Sequence, residues 1–452
     1  MNTRELTKTV LTLPWALSMF GLQQAATLVS SSGTKRLSDA GKALDAVTAA
    51  ATREFDGWAK QTYQFGDTVQ RTLVDLAMMR TPEIDSSALM RMAAEMQSSP
   101  VFQAVLKYGM PPVGWVGSLM VSRRDRTAVG QEFTNKITVI TLVTQVHDQL
   151  GLHEGNEESL SALVAKAAEL ETFPRLWAVE GIGNYIGDRA VAQAGARATG
   201  LLSGPDAEGL PVWSLTMLHA GIGMSFAKHV LKPLEPTTAP AAVRAAIAEF
   251  VALCRASSWP GYAGAALESL GLATRTLYPS LVRIVDAQIP AVEPDLLGYF
   301  WHGVGRAMYF EPANMLPSVN APWRAIRRLD EEAPHDTARR NILSGLSWAI
   351  TVVNMRHPVV MEALLRHHGV MAAEDDAFSN GVTSALLMRY DTTRDDARIA
   401  PFVHNEPVGD DDLAALWRTL ITGPCEDGLQ RTYPRLRETR SLEALFRYHA
   451  AD

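Results

Sequence analysis

The chain has 452 residues, 47% of them hydrophobic and 20% charged, and a formal net charge of -7. That mild acidity excludes a general nucleic-acid binder, which needs a broad basic face. Two distant cysteines, Cys254 and Cys425, exclude a disulfide framework and a cysteine-rich zinc site and fit a reducing compartment, while the length admits two or three domains or one extended repeat array.

Residues 1–85 read as an N-terminal amphipathic helical region. Arg4 and Lys8 precede an apolar run at residues 10–22 much as in a signal peptide, yet Glu5 weakens the positive end and Gln23, Gln24 and Ala25 make a poor cleavage site, so the segment reads as retained. A long helix is expected over residues 34–80. Leu37, Leu44, Ala51, Trp58 and Phe65 recur every seven residues, with Ala40 and Val47 in the companion seam. That stripe either packs on the same chain, joins copies into a homo-oligomer, or adsorbs to an apolar surface. Phe20-Gly21-Leu22-Gln23-Gln24-Ala25-Ala26 and Tyr63-Gln64-Phe65-Gly66-Asp67 resemble the phasin-type proteins, helical coats of bacterial polyester granules. The expected location is cytoplasmic, with peripheral attachment to a membrane or granule through these helices as the alternative; no apolar run is long enough to span a bilayer.

Residues 86–157 read as a helical connecting region. Thr81-Pro82 closes the preceding helix, because the residue before proline is pushed out of the α region. Arg123-Arg124-Asp125-Arg126 is a compact basic cluster, either a solvated turn or a contact for phosphate or anionic lipid. Residues 137–143, Ile-Thr-Val-Ile-Thr-Leu-Val, suit a buried helix or strand.

From residue 158 to 388 helix-length apolar segments alternate with Pro- and Gly-marked turns. Gly181, Gly221, Gly271, Gly303, Gly345 and Gly381 mark successive segments at the spacing of helical-pair repeats. The expected fold is therefore all-α, an irregular α-solenoid of stacked antiparallel helix pairs. Glycine within a helix costs about 1 kcal/mol against alanine, and close helix approach is the natural gain. A dinucleotide fingerprint fails on context: after Gly181-x-Gly183 the next glycine, Gly187, falls one residue late, and no strand precedes it. Residues 389–452 are polar and acidic, and read as a C-terminal cap of two helices near 411–422 and 438–450, with Asp410 at a helix N-terminus.

Four elements carry the residues able to do chemistry. In order they are Phe173-Pro174-Arg175-Leu176-Trp177-Ala178-Val179-Glu180-Gly181-Ile182-Gly183, His219-Ala220-Gly221-Ile222-Gly223-Met224-Ser225-Phe226-Ala227, His302-Gly303-Val304-Gly305-Arg306-Ala307-Met308-Tyr309-Phe310 and Ser344-Gly345-Leu346-Ser347-Trp348-Ala349. Over about residues 173–368 they resemble an uncharacterised bacterial protein family associated with enediyne polyketide biosynthesis clusters. The matching positions are Glu180, Gly181, Gly221, Gly223, Gly303, Gly305, Arg306 and Gly345, whereas Trp301-His302 stands where that family has an acidic residue and glutamine. The resemblance implies a shared architecture and an accessory role in natural-product biosynthesis, and supplies no reaction.

On the residues themselves, Glu180 and Arg306 are candidates for a buried ion pair between neighbouring repeats or for a ligand contact. His302 is a candidate general acid/base or a satisfied helix histidine. Trp301, His302, Arg306, Tyr309 and His219 are the candidate ligand-binding residues, and Glu180, His302 and Arg306 the candidate catalytic ones. His357, Glu362, His367 and His368 lack metal-ligand spacing, so no metal and no cofactor is expected. The leading functional reading is a non-enzymatic scaffold or accessory protein holding an apolar metabolite or a partner protein in a groove lined by the glycine-marked helices. The alternatives are an enzyme acting on a hydrophobic substrate near His302, and a lipid- or granule-surface protein.

Overall fold

In a computed structural model the described residues are 125–144, 150, 158–311, 314 and 325–450. The N-terminal helix, the seven-residue stripe and the phasin-like stretches lie outside them. Of the described residues 77% are helical and none lies in a strand, so the fold is all-α.

The helices are α1 (Arg126–Thr144), α2 (Leu160–Ala168), α3 (Thr172–Ala194), α4 (Val212–Leu231), α5 (Pro240–Ser257), α6 (Ala263–Leu267), α7 (Ser269–Leu277), α8 (Val282–Gln288), α9 (Leu296–Tyr309), α10 (Leu329–Glu332), α11 (Asp336–Asn354), α12 (Pro358–Ala372), α13 (Ala377–Thr392) and α14 (Ile399–Val403). They are followed by α15 (Asp411–Trp417), α16 (Gly423–Asp427) and α17 (Tyr433–Glu438). The Ile-Thr-rich segment at residues 137–143 belongs to α1 and is helical.

The glycine-marked segments are the inner helices, and they lie side by side in the same direction. Leu218 meets Gly183 and Ser225 meets Gly187 across α3 and α4; His219 stacks on Tyr262 while Gly223 meets Ala266, carrying the order from α4 to α6. Across α9 and α11, His302 meets Gly345, Arg306 lies over Trp348, and Tyr309 bonds Asn354. Ser344 then pairs with Asn380 and Gly381 on α13. Helices such as α5 and α12 return the chain between inner members, so antiparallel pairs stack with their inner helices parallel. In addition α13 packs on α4, and α1 packs on α3, α11 and α12.

Two glycines show why this residue type is needed. A Cβ at Gly271 would run into the carbonyl of Phe300, and one at Gly345 into the carbonyl of His302; both obstacles are backbone and cannot swing aside. The intrinsic helical cost of glycine is thus offset by backbone contact and by the apolar surface closed behind it. The same closure means that the glycine faces meet neighbouring helices.

Two further expectations are corrected. The C-terminal region is not two separate helices: the chain stays helical from 411 to 438, with π-turns at Arg418–Thr422 and Gly428–Thr432. Each π-turn precedes a proline, Pro424 or Pro434, whose ring and missing N–H disrupt an ordinary α-turn, and the wider turn absorbs the misfit. Beyond it lies a 3-10 turn, Leu442–Phe446, rather than a second long helix. Asp410 does cap its helix, its side chain accepting from Leu413 N at 3.2 Å. Asp125 of the basic cluster is not in a solvated turn but buried against Arg366 (3.3 Å) and His367 (3.2 Å).

Candidate functional site

Where α3, α7, α9 and α11 converge, four charged or titratable side chains share one apolar interior. His302 and Arg306 sit one turn apart on α9, so both point the same way. Their common partner is Glu268, the residue immediately before α7. His302 Nδ1 donates to Glu268 Oε1 at 2.5 Å, and Arg306 Nη1 donates to Glu268 Oε2. Glu180, from the middle of α3, approaches Arg306 Nη2 at 3.7 Å. Trp348 closes the space, its ring 4.4 Å from the guanidinium carbon and edge-on to His302. Such an arginine over an indole adds cation–π attraction in a desolvated setting.

The electrostatics separate the two carboxylates. Burial alone would raise the pKa of Glu268, but Arg306 and then His302 outweigh it and hold it below the ordinary carboxylate value. Glu180 goes the other way: burial dominates, Arg306 offsets only part of it, and the Glu268 charge adds to the rise. Arg306, penalised by burial, is raised because both carboxylates favour its charge. Glu268 is therefore the ionised member of the pair and Glu180 the one that takes a proton more readily.

A second polar network continues along α9. Tyr309 Oη donates to Glu132 Oε1 at 3.1 Å and accepts from Asn354 Nδ2 at 2.8 Å. Lys136 lies 2.9 Å from Glu132, donates to the Asn314 carbonyl at 2.8 Å, and stands over the Tyr309 ring. These groups are all buried. Among the described residues, His302 Nε2, Arg306 Nε, Trp348 Nε1 and Thr351 Oγ1 are buried atoms without a hydrogen-bond partner.

The sequence candidates therefore divide. Glu180, His302 and Arg306 come together, and Tyr309 heads the adjoining network on the same helix. Trp301 faces elsewhere, its Nε1 donating to Asp286 at 2.7 Å. His219 takes no part in the cluster: Nδ1 donates to the Leu215 carbonyl at 2.6 Å, and Nε2 accepts from Trp259 N at 2.9 Å. Both ring nitrogens are thus used by backbone, and burial pushes its pKa down to about 4. Of the histidine-rich stretch, His357 meets Asn135 and Glu362 meets Asn405. Among the described residues no group of three or more His, Cys, Asp or Glu is arranged to hold a metal ion.

The residue that sequence reasoning missed is Glu268, and with it Glu132, Lys136 and Trp348. A signal for Glu268 was present: like Glu180 it is a lone carboxylate in an apolar stretch, three residues ahead of a glycine, Gly183 in one case and Gly271 in the other. Glu132 and Lys136 lie in a helix whose burial is decided by distant partners.

The fold and cluster define an all-α protein with a desolvated Glu–His–Arg–Glu centre. Compared with protein-family models, curated proteins and solved structures, the chain matches none.

Proposed function

We propose that this chain is a non-enzymatic helical accessory protein, working by binding an apolar small molecule or a partner protein, with the Glu268–His302–Arg306 cluster serving to lock its inner helices together. The observation that carries the reading is burial: the side chains of Glu268 and His302 are 0% exposed. A catalyst must present its reacting atoms to substrate, whereas an interhelical lock works best without solvent. A place in natural-product biosynthesis, as the family resemblance implies, belongs to the same proposal. Thermal melting of Glu268→Gln and His302→Gln tests it. A lock loses stability in both variants, whereas a catalytic constellation held in strain keeps or gains stability when neutralised, and that outcome would reverse the assignment.

One observation favours an enzyme as the second reading. Glu268 fixes His302 through Nδ1 and leaves Nε2 unpartnered, and the two carboxylates have pKa values displaced in opposite directions. An oriented histidine beside such a pair has the parts of a general acid/base site.

A further inference from the structure

At some distance along α4 from the buried cluster, the 258–262 loop, the start of α4 and the 436–442 segment enclose a cavity of about 260 Å³, near the lower end of small-molecule pockets, roughly 300 Å³. Leu210, Leu215, Tyr262, Leu436 and Leu442 form its buried apolar wall. Val212 and Trp259 stand at its opening, 45% and 37% exposed, and are two of the four exposed large hydrophobic residues among those described. Arg437 and Arg440 complete the lining.

The walls are pinned before any ligand arrives. Trp259 N is held by His219, Arg437 Nη1 donates to the Tyr262 hydroxyl at 2.9 Å, and Glu443 N donates to the Gly261 carbonyl at 2.8 Å. Gly261 is required, because its φ is +89° and a Cβ there would strike the Arg440 carbonyl.

Arg440 itself is the unusual element. It is the one non-glycine residue with positive φ (52°) among those described. It closes α17 where Ser441 N donates to the Leu436 carbonyl at 2.9 Å, the turn whose left-handed position glycine usually fills. Its side chain is exposed and, unlike that of Arg437, which lies 3.4 Å from Asp391 Oδ1, enters no ion pair among the described residues. Backbone strain of this kind, in a non-glycine residue at a pocket mouth, is the sort that clusters at ligand-binding sites. Next to this mouth, sharing Val212 and Arg437, is a 350 Å³ recess containing Arg175, Arg394, Asp391 and Asp395. Together the two sites hold four arginines against two aspartates.

We infer that this pocket binds an amphipathic carboxylate, with the apolar body between Trp259 and Leu436 and the carboxylate on Arg440 and Arg437. Guanidinium groups suit that head because they pair with carboxylates through two parallel hydrogen bonds. This site rests on the proposed binding role and supplies its ligand class.

Dodecanoate, below its micellar concentration, is the probe, followed by calorimetry and by the tryptophan emission change that is lost in Trp259→Ala. The wild-type protein is expected to bind dodecanoate at least tenfold more tightly than dodecanol. Arg440→Gly relieves the backbone strain and is expected to melt no lower than wild type while losing tenfold or more in dodecanoate affinity; Trp259→Ala weakens both ligands. Equal affinity for the acid and the alcohol, or an Arg440→Gly variant that binds like wild type, overturns the assignment. So does binding confined to phosphatidylglycerol vesicles, because that places the anion in a membrane surface. Melting of the Glu268 and His302 variants is read independently, so a failed dodecanoate test leaves the accessory reading standing.

Discussion

Glu268 Oε1 accepts from His302 Nδ1 at 2.5 Å while its other oxygen accepts from Arg306, so one fully buried carboxylate ties α7 to two successive turns of α9. Removing that charge leaves Arg306 buried with only the weaker partner Glu180 at 3.7 Å. Breaking a buried pair from one side costs about 3–5 kcal/mol. Glu268→Gln is accordingly expected to lower the melting temperature by on the order of 10 °C, as read by circular dichroism at neutral pH. Glu268→Gln combined with Arg306→Met should recover part of the loss, since the unpaired guanidinium is gone and Glu180, its pKa already raised by burial, can take up a proton once Arg306 is removed.

Gly345→Ala places a Cβ against the His302 backbone. The inner helices must then separate or tilt, at a cost of about 1–3 kcal/mol or more. A urea titration reads this directly. An unchanged midpoint would mean that α9 and α11 are not in backbone contact there. Ala349→Gly, one turn along the same buried helix, should cost only the propensity and methyl loss and so separates steric from intrinsic effects.

Tyr309→Phe removes the hydroxyl that joins Glu132 to Asn354. Glu132 keeps Lys136, but Asn354 loses an acceptor in a dry interior, for about 1–3 kcal/mol. Were Tyr309 instead a ligand contact, stability would be unchanged, so the same titration distinguishes the two roles.

Acid sensitivity should come in part from His219. Its folded pKa is depressed to about 4 because burial disfavours the imidazolium, while the unfolded ring titrates near 6.5. Below about pH 6.5 the unfolded state binds a proton that the folded state refuses, and stability falls as the pH drops toward 4, by about 3 kcal/mol in all. His219→Asn should be less stable at pH 7, since the Leu215 and Trp259 backbone bonds cannot both be kept, but its stability should fall less between pH 6.5 and 5. Denaturant unfolding at those pH values measures the slope.

Much of the inner layer was legible because glycine within an apolar helix is costly and therefore informative. Gly181, Gly221, Gly303, Gly345 and Gly381 mark helices that meet closely, and the two lone charges on such helices, Glu180 and Arg306, read as candidates for a buried pair or a ligand contact. Glu268 was equally apolar in context but lay in a stretch that drew attention only for its later glycine. The C-terminal segment reads as two helices from its polar, acidic character, but the chain stays helical past 422, where π-turns take up Pro424 and Pro434.

The sequence by itself determined that the chain is all-α and where its inner helices run, because periodicity and glycine placement act locally along each helix. Only the tertiary structure decided which charges meet, since Glu268 lies 34 and 38 positions before its two partners and a buried charge takes whichever counter-charge the packing brings near. It likewise turned His219 from a candidate ligand residue into a backbone clamp. And it set Arg440 beside Trp259, a conjunction of a left-handed turn and a distant loop that no local pattern encodes.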